Sequence, residues 1–186
     1  AAIPEIGSGD GDAFVVAQPS TPASYFHLLR RQALSERHRP LIVFTPKSML
    51  KRKEAASQPH EFTEGTFRPF IGDDHADQDK VDTLLICSGR ITWDLHVARD
   101  KAEDGERFAI ARVEQLYPLP IDAIKDEIAR YPHLKKVRWV QDEPQNMGPW
   151  PHYQLNVWPG LDIEVEDVTR PASASPSVGT LKRHVE

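Results

Sequence analysis

The chain has 186 residues, 39% of them hydrophobic and 27% charged, with a formal net charge of −5 and a single cysteine. That length suffices for one domain, or a domain with a tail, and for a core that needs no disulfide or metal staple. Disorder over most of the chain is excluded by composition, a membrane span by the lack of any apolar run near roughly 18–20 residues, and a phosphate-neutralising nucleic-acid binder by the negative charge.

Residues 1–13, with Gly7-Ser8-Gly9-Asp10-Gly11-Asp12, are small and acidic and read as a linker or loop. They show no basic stretch leading into an apolar one, hence no signal peptide, and no initiator Met. The expectation is a cytoplasmic protein, and a piece of a longer chain. Phe14-Val15-Val16-Ala17 reads as a short strand. Ser24 to Leu34 has helical spacing, with Tyr25, Leu28, Leu29 and Gln32 on one face and Thr21-Pro22 as its entry. Leu41-Ile42-Val43-Phe44 is a continuous apolar run, typical of a strand buried on both faces. Gly72 to Lys80 reads as an acidic surface loop. Leu84 to Cys87, Phe108 to Val113 and Val137 to Gln141 read as further strands, separated by helices at Thr92 to Ala102 and Ile121 to Tyr131. Arg170 to Gly179 is a second irregular stretch. Strands alternating with helices predict an α/β fold: an open, mostly parallel sheet with helices on both faces.

Ligands in such sheets sit at the carboxyl ends of strands, where helix N-termini present free N–H groups to anions. Ser88-Gly89-Arg90 occupies that position after the strand ending at Cys87, and Arg90 adds a planar, charged fork suited to phosphate. The alternative is a tight turn whose Arg pairs with an acid. Thr45-Pro46-Lys47-Ser48 follows the strand Leu41 to Phe44 in the same way, either as a phosphate contact or as a helix start with Thr45 at the N-cap and Pro46 in the first turn. If parallel strands place both turns at one sheet edge, Thr45, Lys47, Ser88 and Arg90 form a shared anion site, inside the positive field of Lys51, Arg52 and Lys53. Gln145 lies in the polar cluster Gln141 to Asn146, ahead of Gly148-Pro149-Trp150-Pro151, whose Trp150 serves as an interface anchor or as a core plug. His27, beside Phe26 on its helix, reads as a structural residue. His133, His152 and His184 lack metal-ligand spacing, and Cys87 at the end of a buried strand is expected to be inert. Gly9-Asp10-Gly11 could open a magnesium and thiamine diphosphate motif, but no Asn follows before Arg112 to close it, so it reads as linker. There is no G-x-G-x-x-G for a dinucleotide. From the residues alone, no complete active site assembles.

Pro19-Ser20-Thr21-Pro22-Ala23-Ser24-Tyr25-Phe26-His27-Leu28-Leu29-Arg30-Arg31-Gln32, Arg39 to Leu50, Cys87 to Arg90, Arg112 to Pro118, Val140 to Trp150 and Arg170 to Gly179 form a series of blocks. In that order they resemble the thiamine-dependent 2-oxoglutarate dehydrogenases, with a flavour closest to the actinobacterial multifunctional decarboxylase/dehydrogenase type. The resemblance implies the C-terminal part of the decarboxylating component. Residues 14–38 would end a pyrimidine-binding-type domain, and 39–186 would form a transketolase-like C-terminal domain. It implies decarboxylation of 2-oxoglutarate on thiamine diphosphate and Mg²⁺, both held mainly by regions outside this chain, and transfer of the succinyl group to a lipoyl carrier. The implied partners are the upstream region of the same enzyme, a second copy in a homodimer, and a lipoyl-bearing acyltransferase component. It also implies that His27 lies near the substrate. An acetyl-CoA activator site is carried over to Thr45, Lys47, Ser88, Arg90 and Gln145. On this reading the isolated chain has no turnover. The rival is a stand-alone α/β module that senses an acyl-CoA or docks a partner.

Overall fold

The computed structural model describes residues 13–36, 38–180 and 182. The Gly9-Asp10-Gly11 triplet, His184 and all but the last residue of the expected 1–13 linker lie outside them.

The chain opens on a βαβ unit. β1 (Val15–Ala17) leads through α1 (Pro22–Leu34) to β2 (Leu41–Val43), and the two strands pair in parallel. Thr21 caps α1 as expected, its Oγ1 accepting from Ser24 N at 3.1 Å, with Pro22 in the first turn. The buried stripe of α1 is Ala23, His27 and Leu28, whereas Tyr25 and Leu29 are exposed. This corrects the expected face. A small sheet offers one helix only a narrow strip, so the second apolar stripe stays partly exposed, with Tyr25 on the wall of a groove. β2 is likewise an edge strand, and Ile42 and Phe44 are exposed where burial on both faces was expected. No helix starts at Thr45: the segment turns as a 3₁₀ stretch over Lys47–Lys51, with Pro46 extended before it and no side-chain cap. Pro46 itself is extended and takes the position before the first turn, so the turn starts one residue later than expected and Thr45 is left outside it.

After α2 (His60–Thr63) come β3 (Phe70–Ile71), β4 (Thr83–Cys87), α3 (Ile91–Lys101), β5 (Phe108–Val113), β6 (Gln115–Tyr117), α4 (Ile121–Ala129), β7 (Lys136–Pro144), α5 (Trp150–Asn156) and β8 (Val165–Arg170). Among the described residues the sheets number two, ordered β2-β1-β6 and β3-β5-β4-β7-β8. Both are mixed, because β6 runs antiparallel to β1 and β3 antiparallel to β5; the other pairings are parallel. The larger sheet is covered on both faces, as expected. On β4, Leu84 and Ile86 face the core shared with Ile124 of α4 and Trp150 and Tyr153 of α5. Cys87, with Leu85, faces Ile91 and Leu95 of α3. Trp139 of β7 meets Tyr153 edge-on with ring centroids 5.1 Å apart, so Trp150 and its neighbours are core plugs.

Glu114 alone separates β5 from β6, and there the chain crosses from one sheet to the other. Its carbonyl accepts from Gln18 N at 2.9 Å, and its N–H donates to Pro69 O at 2.9 Å. Its carboxylate is fully buried, accepting from Ser20 N at 2.8 Å, from Ser24 Oγ at 2.6 Å and from Ser20 Oγ, with Arg112 Nε 3.6 Å away. The two sheets are therefore pinned by one acid. The Gly72 to Lys80 loop also departs from expectation, since Asp73 is buried rather than on the surface. It pairs with Arg99 and accepts from Ile110 N at 2.9 Å, tying the loop to α3 and β5.

Candidate functional site

The strand ends that sequence reasoning singled out do converge, although not through one sheet. β2 and β4 belong to different sheets, so the expected shared edge does not exist. The bend at Glu114 instead folds the smaller sheet over the carboxyl ends of the larger one. A cleft of about 160 Å³ results, lined by Gln18, Pro46, Ser88, Arg90, Asp142 and Glu143 among others. It stands over β4, where the strand order reverses between β5 and β7, the position at which open α/β sheets bind ligands.

Gly89 makes the turn after β4 possible. Its φ is +66°, and a Cβ built there would stand 2.5 Å from Gln18 Nε2 and 2.6 Å from Gln18 Cδ. Ser88 Oγ lies 3.0 Å from Gln18 Oε1 and 2.9 Å from Val113 O, tying the turn to both sheets. Gly89→Ala should therefore cost about 1–2 kcal/mol from the left-handed backbone alone, and more from displacing Gln18. Gly160→Ala, which meets nothing within 4 Å, is the control. Urea midpoints that move equally for both would disprove the close approach.

Arg90 is engaged by acids, as one of the two sequence readings anticipated. Nη2 donates to Asp142 Oδ1 and Oδ2 at 3.0 and 2.9 Å, and Nη1 to Asp94 Oδ2 at 3.1 Å. Asp94 Oδ1 in turn accepts from Arg52 Nη1 at 2.6 Å. The chain Arg52–Asp94–Arg90–Asp142 thus links the 3₁₀ segment, α3 and β7 across the rim of the cleft. All of these pairs are partly exposed, where a single ion pair contributes little to stability.

Of the remaining candidates, Thr45 lines a neighbouring groove of about 290 Å³ with Tyr25, Pro46, Met49 and Arg52. Lys47 is exposed and lines neither cavity. Gln145 is exposed and turned toward β8, its Nε2 donating to Asp167 Oδ2 at 3.2 Å and its backbone N–H to Arg170 O at 2.9 Å. The structure thus groups Ser88 and Arg90 with Pro46, sets Thr45 next door, and leaves Lys47 and Gln145 apart. Two contributors were missed. Asp94 carries a readable signal, standing four residues after Arg90 on a helix; Gln18 carries none, because only the fold brings it to the turn. Cys87 is fully buried, and burial pushes its thiol up to about 12, so it offers no thiolate nucleophile.

His27 occupies a separate neighbourhood, between α1 and α2. Its Nε2 lies 2.8 Å from Glu61 O, and Phe26 packs against Phe62 with centroids 5.8 Å apart. A carbonyl oxygen only accepts, so Nε2 must carry the hydrogen. In the neutral ring that leaves Nδ1 as the acceptor, and this atom is buried with no hydrogen-bond partner among the described residues. An unpaired buried acceptor costs about 1–3 kcal/mol; a chain that tethers one nitrogen and leaves the other empty holds a preset tautomer.

Comparison with known proteins gives this geometry a context. The model of the 2-oxoglutarate dehydrogenase C-terminal family matches residues 56–186. The chain is similar to the 2-oxoglutarate dehydrogenase E1/E2 component of Corynebacterium glutamicum, 46% identical over 178 residues, covering 92% of this chain and 14% of that protein. The multifunctional 2-oxoglutarate metabolism enzyme of Mycobacterium sp. strain KMS is 43% identical over 180 residues, again 92% of this chain and 14% of the other. The 2-oxoadipate dehydrogenase complex component E1 of Xenopus laevis is 43% identical over 174 residues, 91% of this chain and 19% of that one. The chain therefore spans less than a fifth of the length of these relatives.

Proposed function

Because the chain belongs to the 2-oxoglutarate dehydrogenase C-terminal family, we propose that it is the C-terminal portion of an enzyme that decarboxylates 2-oxoglutarate on thiamine diphosphate and passes the succinyl group to a lipoyl carrier. The likeness over 92% of the chain to enzymes named for 2-oxoglutarate carries this reading. In it, residues 14–38 end a pyrimidine-binding-type domain and 39–186 form a transketolase-like domain. The portion supplies contacts to the upstream region and to a second copy, the lipoyl-bearing acyltransferase component is the downstream partner, and the cytoplasm is the compartment. Turnover needs the upstream region. Among the described residues no group of three or more His, Cys, Asp and Glu gathers in a way that could hold a metal ion. In this reading the diphosphate and its Mg²⁺ are held mainly by the rest of the polypeptide, and no step through them is derived from this chain.

Two parts of the chain have roles in this reading. His27 offers Nδ1 to the substrate as a hydrogen-bond or proton acceptor, with Nε2 tied to Glu61. The cleft at Ser88 and Arg90 takes the phosphates of an acetyl-CoA activator, with Thr45 in the neighbouring groove; Lys47 and Gln145, the other residues the resemblance assigns to this site, stand apart from the cleft. Arg90 supports this assignment through its strand-end position and its charged guanidinium, whose Nη2 already donates to both oxygens of the Asp142 carboxylate. Arg90→Ala in the full-length enzyme should raise the acetyl-CoA concentration for half-activation about 10–100-fold, the value of a hydrogen-bonded charge worth about 1.5–3 kcal/mol. Turnover without effector should change little. An unchanged activation curve would remove the effector assignment and leave the enzyme assignment standing.

A further inference from the structure

A guanidinium grips a phosphate through two parallel N–H donors on one edge, and Arg90 has both of its terminal nitrogens turned onto carboxylates. Nη2 donates to Oδ1 and Oδ2 of Asp142 at 3.0 and 2.9 Å, and Nη1 to Oδ2 of Asp94 at 3.1 Å. Asp142 and Glu143 also line the cleft, whose volume is about 160 Å³. In so small a space a ligand phosphate and the Asp142 carboxylate need the same donors, and their like charges repel.

The two carboxylates on Arg90 are held unequally. Asp94 stands in the first turn of α3 and also accepts from Arg52 Nη1 at 2.6 Å, so it keeps a cation if Arg90 turns away. Asp142 has no second ion-pair partner among the described residues. Its carbonyl accepts from Arg170 Nε at 2.6 Å, which fixes its backbone. Its side chain is 46% exposed and can swing into solvent without moving β7. Asp142 is therefore the partner that Arg90 can exchange.

We propose that Asp142 is a built-in competitor for the anion site: its carboxylate holds Arg90 where an effector phosphate would sit, and the effector binds by displacing it. The proposal rests on reading this cleft as the acetyl-CoA site, and it gives that site a threshold. Only molecules whose Arg90 is released can take the phosphate, so the apparent affinity is reduced by the released fraction.

The test is acetyl-CoA titration of the full-length enzyme. Asp142→Asn should lower the concentration for half-activation about 5-fold, the factor by which an exposed pair worth about 1 kcal/mol limits the released fraction. Asp142→Glu, which keeps the charge, should stay near the parent. Two controls separate competition from plain repulsion. Arg90 pairs with Asp94 and Asp142, not with Glu143, so Glu143→Gln removes one charge from the same cleft and should shift the value less than about 2-fold, a screened effect. In the Arg90→Ala background, Asp142→Asn should gain no more than Glu143→Gln does. An Asp142→Asn curve that matches the parent, an equal gain from Glu143→Gln, or a gain that survives Arg90→Ala each overturns the proposal. A structure of the unsubstituted enzyme with acetyl-CoA bound keeps the test independent of any replacement. Arg90 should then lie on a phosphate with Asp142 beyond hydrogen-bond distance; Arg90 still on both Asp142 oxygens overturns the proposal. If acetyl-CoA leaves the parent's turnover unchanged, the effector reading fails and takes the competitor with it. A parent that responds, weakened by Arg90→Ala and unmoved by Asp142→Asn, loses the competitor alone.

Discussion

His27→Gln in the full-length enzyme should lower decarboxylation of 2-oxoglutarate about 100-fold or more while leaving the fold intact, the range over which a positioned acid–base group acts. The glutamine amide can imitate the Nε2 donor and keep the 2.8 Å bond to the Glu61 carbonyl, but it places no acceptor where Nδ1 stands. His27→Asn does the opposite, keeping a polar atom near Nδ1 and losing the tether. His27→Ala loses both. If the ring is only a structural brace between α1 and α2, the glutamine variant should turn over nearly as fast as the parent and the asparagine variant should be the damaged one. If Nδ1 meets the substrate, glutamine is as poor as alanine, and circular dichroism shows it folded. The order of the three variants, more than any single rate, decides the role.

That His27 is buried was the least readable feature of its helix. Hydrophobic spacing pointed to Tyr25, Leu28 and Leu29 as the inward face, and the stripe that packs is Ala23, His27 and Leu28. The pattern detects apolar residues, and both stripes of α1 carry them; the sheet beneath decides which one is used. The same cause misled the reading of β2, whose run Leu41 to Phe44 matches a doubly buried strand although Ile42 and Phe44 are exposed. The larger sheet was legible because its central strands β4, β5 and β7 each carry a mostly buried apolar run, with α3 between β4 and β5 and α4 ahead of β7. Its antiparallel edge β3 is two residues long, too short to leave a period. β6 was hidden because only Glu114 parts it from β5, and a buried acid in an apolar run looks like a break when it is a corner. Ser88 and Arg90 were found because turn chemistry and charge are local properties. Gln18 was not, because its partners stand 70 or more residues away.

The corner at Glu114 carries the second large prediction. Glu114→Ala should destabilise the fold by about 3–5 kcal/mol, since it strands Arg112, a buried Ser20 N–H and two serine hydroxyls that now share one carboxylate. Glu114→Gln should cost less, because an amide oxygen in the place of Oε2 keeps both the Ser20 N–H and the Ser24 hydroxyl, and the Ser20 hydroxyl can turn to accept from the amide nitrogen. The glutamine variant also isolates a pH effect. Burial pushes the Glu114 carboxyl above its ordinary value, with Arg112 and the serines pulling it partly back. A group whose pKa is higher folded than unfolded binds its proton more tightly in the folded state. Its contribution is therefore complete below the unfolded pKa and is lost as pH rises through the folded one. Stability measured by urea unfolding between about pH 4 and pH 8 should fall with pH more steeply for the parent than for Glu114→Gln, which has no proton to lose. A parent that gains on the variant as pH rises would mean that Arg112 and the serines outweigh burial. The joint between the two sheets would then be held by a carboxylate, and its weakest point would lie in acid instead of above it.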